Sequence, residues 1–149
     1  MEINRNLIVV DWLKSKRVKG TILHLTLCSD QRKILRGRKV SDCNTELILQ
    51  LPREGKINDG DIFITNQENI FIHVIAKKEK LFQISTGKSI DMLKVSYHLG
   101  NRHIAMEIND NYVFIKEDYV IRILLEKLGA EIKLVHKKFF PEDGAFLHD

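Results

Sequence analysis

The chain has 149 residues, 44% of them hydrophobic and 30% charged, with a net charge of +4. That length suits one medium domain or two very small ones, and the balance excludes a disordered chain. No apolar run approaches the roughly 18–20 residues of a bilayer span, and the start, MEINRNLIVVDW, lacks the layout of a secretory signal. The expected setting is therefore cytoplasmic, without a membrane partner.

The first half reads as short strands. LIVV (7–10), TILHLTLC (21–28), KILRGRKV (33–40), ELILQL (46–51), DIFIT (61–65) and IFIHVIA (70–76) are β-branched or alternating runs. Asn58-Asp59-Gly60-Asp61 is a hairpin signal, and Asn66 to Asn69 is a second polar connection. Strands at this spacing predict a small all-β sandwich or barrel over residues 1–77.

After Lys77-Lys78-Glu79-Lys80 the period changes. LFQIS (81–85) is a strand. Ser89 is expected to cap a helix through about Leu99, with Gly100 at its left-handed end. IAMEI (104–108) and YVFI (112–115) are strands around the turn Asn109-Asp110-Asn111. Asp118 can cap a second helix carrying Val120, Ile121, Leu124, Leu125 and Leu128 on one face, closed by Gly129. EIKLVHK (131–137) is the last strand. The order β-α-β-β-α-β over residues 78–149 is that of the ferredoxin-like unit, so the fold class is α+β.

Charge is uneven. Between Lys14 and Lys39 there are nine Lys/Arg against one acid, Asp30. Solvated strand faces explain this, and a docking face for an acidic protein comes second. Aromatics are scarce there, with Trp12 the nearest, so base stacking has little support and nucleic acid is not the expected partner. The two cysteines, Cys28 and Cys43, form no CxxC and read as free thiols: Cys28 as a small hydrophobe, Cys43 as a turn residue with no base beside it.

Two histidines, His98 and His103, flank Gly100-Asn101 in SYHLGNRHIAMEI. Five residues on a helix is about 140° of rotation, and the helix is expected to stop between them, so one protomer does not chelate with both. His98 in the last turn suits a structural role against free carbonyls. His103, at the entry to a strand, can be held rigidly with its ring presented outward. From spacing alone a lone histidine at a helix end is more often structural than a ligand. A two-fold axis, however, doubles every donor near it. His24 and His73 read as ordinary strand residues satisfied by backbone or water. His136 reads as a core-edge residue or an accessory ligand, the former preferred.

Tyr97-His98-Leu99-Gly100-Asn101-Arg102-His103 resembles the signature of the UreE family of urease accessory proteins, nickel metallochaperones of urease maturation. Leu51-Pro52-Arg53 with Asn58-Asp59-Gly60-Asp61 resembles that family's first half. Leu124 to Ala130 and Phe140-Pro141-Glu142-Asp143-Gly144-Ala145-Phe146 resemble its second. The resemblance implies a β-rich protein- or peptide-binding domain (1–77), then a ferredoxin-like metal-binding and dimerisation domain (78–149). It implies a homodimer, with dimers of dimers a further state, in which His103 and its symmetry mate hold the metal. The metal implied is nickel, with zinc or copper able to substitute. The implied partners are the urease accessory GTPase and the urease apoprotein complex. Some members carry a histidine-rich tail. Here the tail offers only His148, a supplementary ligand or a terminal histidine without a role. Where some members carry a peripheral histidine pair, this chain has Glu117 and Tyr119.

No carboxylate pair, GxSxG, phosphate-binding glycine loop or HExxH occurs, so no enzyme is expected. The leading expectation is a nickel carrier for urease assembly, with about one metal per dimer. The alternative is a basic β-rich RNA- or protein-binding module without a metal role. A third reading, an enzyme using Cys43 or a bound metal, requires turnover.

Overall fold

In a computed structural model, residues 6–15 and 17–144 are described. The chain divides into two compact units, Met1–Lys77 and Lys78–Asp149.

The first unit is a single mixed sheet. Its strands are β1 (Leu7–Trp12), β2 (Thr21–Leu27), β3 (Arg36–Val40), β4 (Glu46–Gln50), β5 (Ile62–Thr65) and β6 (Ile70–Ala76). They lie in the order β2-β6-β5-β1-β4-β3. Strand β1 runs parallel to β4 and β2 parallel to β6; the other pairs are antiparallel. Alternation drives this unit. Leu25 and Leu27 of β2, Leu47 and Leu49 of β4, and Ile72 and Val74 of β6 point inward to one core with Val9, Leu51, Ile57 and Phe63.

The sheet curls until the turn after β3 reaches β2. Just past β3, the Asp42 N–H donates to the His24 carbonyl of β2 at 2.8 Å. The Asp42 carboxylate accepts from Thr26 N at 3.0 Å and Thr26 Oγ1 at 2.6 Å. The remaining edge strand, β3, adds nothing to the core and carries Arg36, Arg38 and Lys39, charges that discourage pairing with another chain.

Two expectations for this half are corrected. Residues 33–40 do not form one strand: Gln31–Lys33 is a 3₁₀ turn, and Arg32 of the basic stretch is buried rather than solvated. Asn58 to Asp61 is a tight turn but not a hairpin, because β1 lies between β4 and β5. The Asp61 side chain accepts from Asn58 N at 2.8 Å and from Trp12 Nε1 at 3.1 Å, and Gly60 takes φ 86°. The turn thus pins β5 to β1.

The second unit holds β7 (Lys78–Ser85), α1 (Ser89–Asn101), β8 (Glu107–Ile108), β9 (Val113–Lys116), α2 (Tyr119–Lys127) and β10 (Glu131–Lys138). Its sheet order, β10-β7-β9-β8, is antiparallel throughout and is the ferredoxin-like arrangement. The protein is α+β, a β unit followed by a ferredoxin-like unit. Both helices pack on one sheet face: Val95 and Leu99 of α1 and Ile121 and Leu125 of α2 meet Phe82, Ile84, Val113 and Ile115. The other face is sealed by the chain end, where fully buried Phe139 packs on Leu81 and Phe114.

Asp118 caps α2 as expected, accepting from Val120 N at 3.0 Å and Ile121 N at 3.1 Å. The start of α1 differs. Lys88 is its N-cap and makes no side-chain cap bond, so Ser89 is the first helical residue. The strand expected over 104–108 is only Glu107–Ile108. No helix among the described residues is long and apolar enough to cross a membrane.

Candidate metal centre

The segment around His103 is a helix terminus that stops in one specific way. A helix leaves its last carbonyls without partners. Here the His103 N–H donates to the Gly100 carbonyl at 3.0 Å and the Ile104 N–H to the Leu99 carbonyl at 3.1 Å. Those two bonds define a Schellman cap, whose first residue beyond the cap takes left-handed backbone angles. That residue is His103, at φ 56°. Gly100, expected to fill this role, instead lies within α1, which runs on to Asn101. The difference is one turn's length: the cap forms where Ile104 can return to the core beside Leu99, and that places the left-handed residue three positions later.

The neighbours complete the cap. Arg102 Nη1 donates to the His98 carbonyl at 3.1 Å, so the arginine serves the helix end. Leu99 is fully buried. The His98 ring is half-buried and packs edge-on against Tyr97, with centroids 5.4 Å apart. His103 is exposed. Its backbone is thus fixed at N and by the following residue, while its ring faces outward. A non-glycine residue at this angle carries strain of about 1 kcal/mol or more.

Helix α1 has two apolar faces. Met92, Val95 and Leu99 point to the core. On the other side Ile90, Leu93 and Tyr97 are 54%, 67% and 67% exposed. At 3.6 residues per turn these three and Gly100 fall within about 80° of one another. A Cβ added at Gly100 would meet nothing within 4 Å, so the glycine leaves an open notch on this stripe. Helix α2 repeats the pattern, with Tyr119, Val120 and Ile123 exposed on its outer side.

Among the described residues, no group of three or more His, Cys, Asp or Glu side chains could hold a metal ion. His148 lies outside the described residues. His136 is exposed on β10 opposite Lys80, not a core-edge residue. Tyr119 donates to Glu117 Oε1 at 3.0 Å, and that bond, with the carboxylate charge, raises the tyrosine's pKa. Glu117 and Tyr119 thus serve each other.

His24 and His73 were missed as a unit. They stand directly opposite on β2 and β6, with their Nδ1 atoms 3.2 Å apart. Only the parallel pairing of two strands distant in sequence joins them. Cys43 sits in a turn with its thiol exposed, 3.2 Å from Ser41 Oγ and 3.5 Å from Thr45 Oγ1. These hydroxyls, Ser41 foremost, lower its pKa below the ordinary thiol range. Cys28, half-buried past β2, has its N–H held by Gln31 Oε1 at 2.9 Å.

The family model described as UreE urease accessory protein, C-terminal domain, matches residues 79–149. A urease accessory protein UreE from Prochlorococcus marinus subsp. pastoris (strain CCMP1986 / NIES-2087 / MED4) is 52% identical over 149 residues, covering all of this chain and 97% of the relative. Another, from Prochlorococcus marinus (strain MIT 9301), is 50% identical with both chains fully covered. A third, from Parasynechococcus marenigrum (strain WH8102), is 33% identical over 139 residues, 93% of each chain. Identity at this level over the whole length, on a ferredoxin-like second unit that presents HLGNRH at a helix end, leads to one conclusion: the chain belongs to the UreE family of urease accessory proteins.

Proposed function

We propose that this protein is a nickel carrier for assembly of the urease active site, working as a homodimer whose shared metal is held by His103 from each subunit. The observation that carries this reading is the pairing of two features on α1. The helix ends in an exposed, rigidly held imidazole, and its outer face is an uncovered apolar stripe. An apolar stripe of this kind is stable in water when a second surface covers it. A two-fold axis beside Gly100 would bring two His103 rings to one ion. The described residues of one protomer lack a full donor set, which also favours donors from a second copy.

In this reading residues 78–149 bind metal and dimerise, while residues 1–77 dock protein partners. Those partners are the urease accessory GTPase and the urease apoprotein complex, in the cytoplasm. Pairing of dimers around one ion is a further state. His148 is a supplementary ligand. The Glu142 N–H is bonded to the Met106 carbonyl at 2.7 Å, close in sequence to His103. His148 lies six residues on, a reach of up to about 20 Å. Two imidazoles with exchangeable outer donors hold nickel firmly enough to carry and loosely enough to release. Zinc and copper compete for the same nitrogens. The role needs no turnover.

Calorimetry with nickel on the full chain tests this, paired with light scattering. The expected result is a tight event at about one ion per two chains, absent in His103→Ala while the dimer persists. Tight binding of equal strength in that variant would overturn the role of His103.

A further inference from the structure

We propose that His24 and His73 form a second metal-binding site, independent of His103, which takes a divalent first-row transition cation such as zinc or nickel. Both histidines sit on hydrogen-bonded parallel strands in direct register. Their backbones are fixed by flanking core residues: Leu25 on β2, and Ile72 and Val74 on β6, are essentially fully buried. Alternation then sends both imidazoles to the outer face of the sheet. His24 is exposed and His73 half-buried, so an ion can reach them from solvent. The His24 carbonyl is further anchored by the Asp42 N–H at 2.8 Å.

The ring geometry suits chelation. The Nδ1 atoms are 3.2 Å apart while the centroids are 5.3 Å apart, so both nitrogens lie between the ring centres with their donor edges facing. The planes are inclined by 73°, so the rings do not stack. Metal–nitrogen bonds of about 2.0–2.1 Å across that 3.2 Å gap subtend about 100° at the ion, close to tetrahedral. Without metal, a hydrogen bond across that gap needs one Nδ1 to donate to the other, the tautomer deciding which. Chelation requires both Nδ1 atoms unprotonated, so the donor ring moves its proton to Nε2. Both rings stay neutral, the form in which imidazole binds metal. The remaining coordination positions are filled by water, which makes this a weaker, exchangeable site.

The test uses the full chain and zinc chloride alone. In calorimetry the wild type is expected to show a second, weaker event of about one ion per chain beyond the His103 event. That event should vanish in His24→Gln and in His73→Gln and survive in His103→Ala, which separates it from the dimer site. Because a sheet substitution can unfold the unit, a second measurement uses the wild type. Long-range ¹H–¹⁵N correlation of the imidazoles should show the Nδ1 resonances of His24 and His73 shifting together on zinc addition. Overturning results are a titration unchanged by either glutamine variant, or Nδ1 resonances of the pair that stay put while zinc is bound elsewhere.

Discussion

His103 and Gly129 stand at the same position of the same helix-ending motif, at φ 56° and 75°. For α2, Gly129 N donates to the Glu126 carbonyl at 3.1 Å and Ala130 N to the Leu125 carbonyl at 3.1 Å, the same two bonds that end α1. One motif therefore holds glycine where only the backbone matters, and histidine where we assign a ligand. Glycine adopts these angles without steric penalty; histidine does not.

The comparison predicts opposite effects of two substitutions. His103→Gly should leave the fold intact or stabilise it by about 0.5–1 kcal/mol while the tight nickel-binding event is lost. Gly129→Ala should destabilise by about 1 kcal/mol without touching the metal. Denaturant midpoints paired with nickel calorimetry check both. A His103→Gly protein that is markedly less stable would mean the ring supports the fold rather than a ligand.

Leu93→Lys should separate dimerisation from ligation. Leu93 is 67% exposed on the outer stripe of α1, so a charge there costs the monomer little. Placed at a two-fold contact, two lysines would face each other and the dimer should fall apart by light scattering. Nickel affinity should drop with it although His103 is present. A monomer retaining full affinity would sink the shared-site reading.

Metal binding should weaken in acid. The ligating ring must be neutral, and imidazole in model peptides titrates near pH 6.5. Protons compete with the metal for the same nitrogen, so the apparent affinity should fall by up to roughly tenfold per pH unit for each imidazole bound as the pH drops. Calorimetry from pH 8 to pH 5 measures the slope. A flat profile is incompatible with histidine ligands.

Cys43 should be the faster thiol to alkylate. The Ser41 hydroxyl, then that of Thr45, stabilises the thiolate and lowers its pKa. The reactive thiolate therefore appears at lower pH than for an ordinary cysteine. Iodoacetamide labelling followed by mass spectrometry should show Cys43 modified before half-buried Cys28. Ser41→Ala should move the Cys43 profile to higher pH. An unchanged profile in that variant would remove Ser41 as the cause.

Local chemistry was legible without coordinates. Asp118 followed by an amphipathic run defines a cap and a helix, because the cap bonds span only two and three residues. Alternation in residues 70–76 specifies a strand, because one of its faces must find a core. The element order of the second unit followed from the same patterns, and so did the interest of His103 over His98. The cap that holds His103 was legible only in part. Glycine is the usual left-handed residue, so Gly100 drew the assignment, whereas the docking of Ile104 beside Leu99 decided where the helix turns.

What the residues alone determined is therefore what bonds within a few positions of chain: the Asp118 cap and Gly129 stop of α2, and the strand and helix periods. The tertiary structure alone decided which distant strands lie side by side. It paired β1 with β4 and β2 with β6 in parallel, sent the Asn58 to Asp61 turn to β1 rather than into a hairpin, and set His24 against His73. Such pairings are chosen by the packing of a whole core. Alternation tells each strand which face to bury, and it is silent about which neighbour will share its backbone hydrogen bonds.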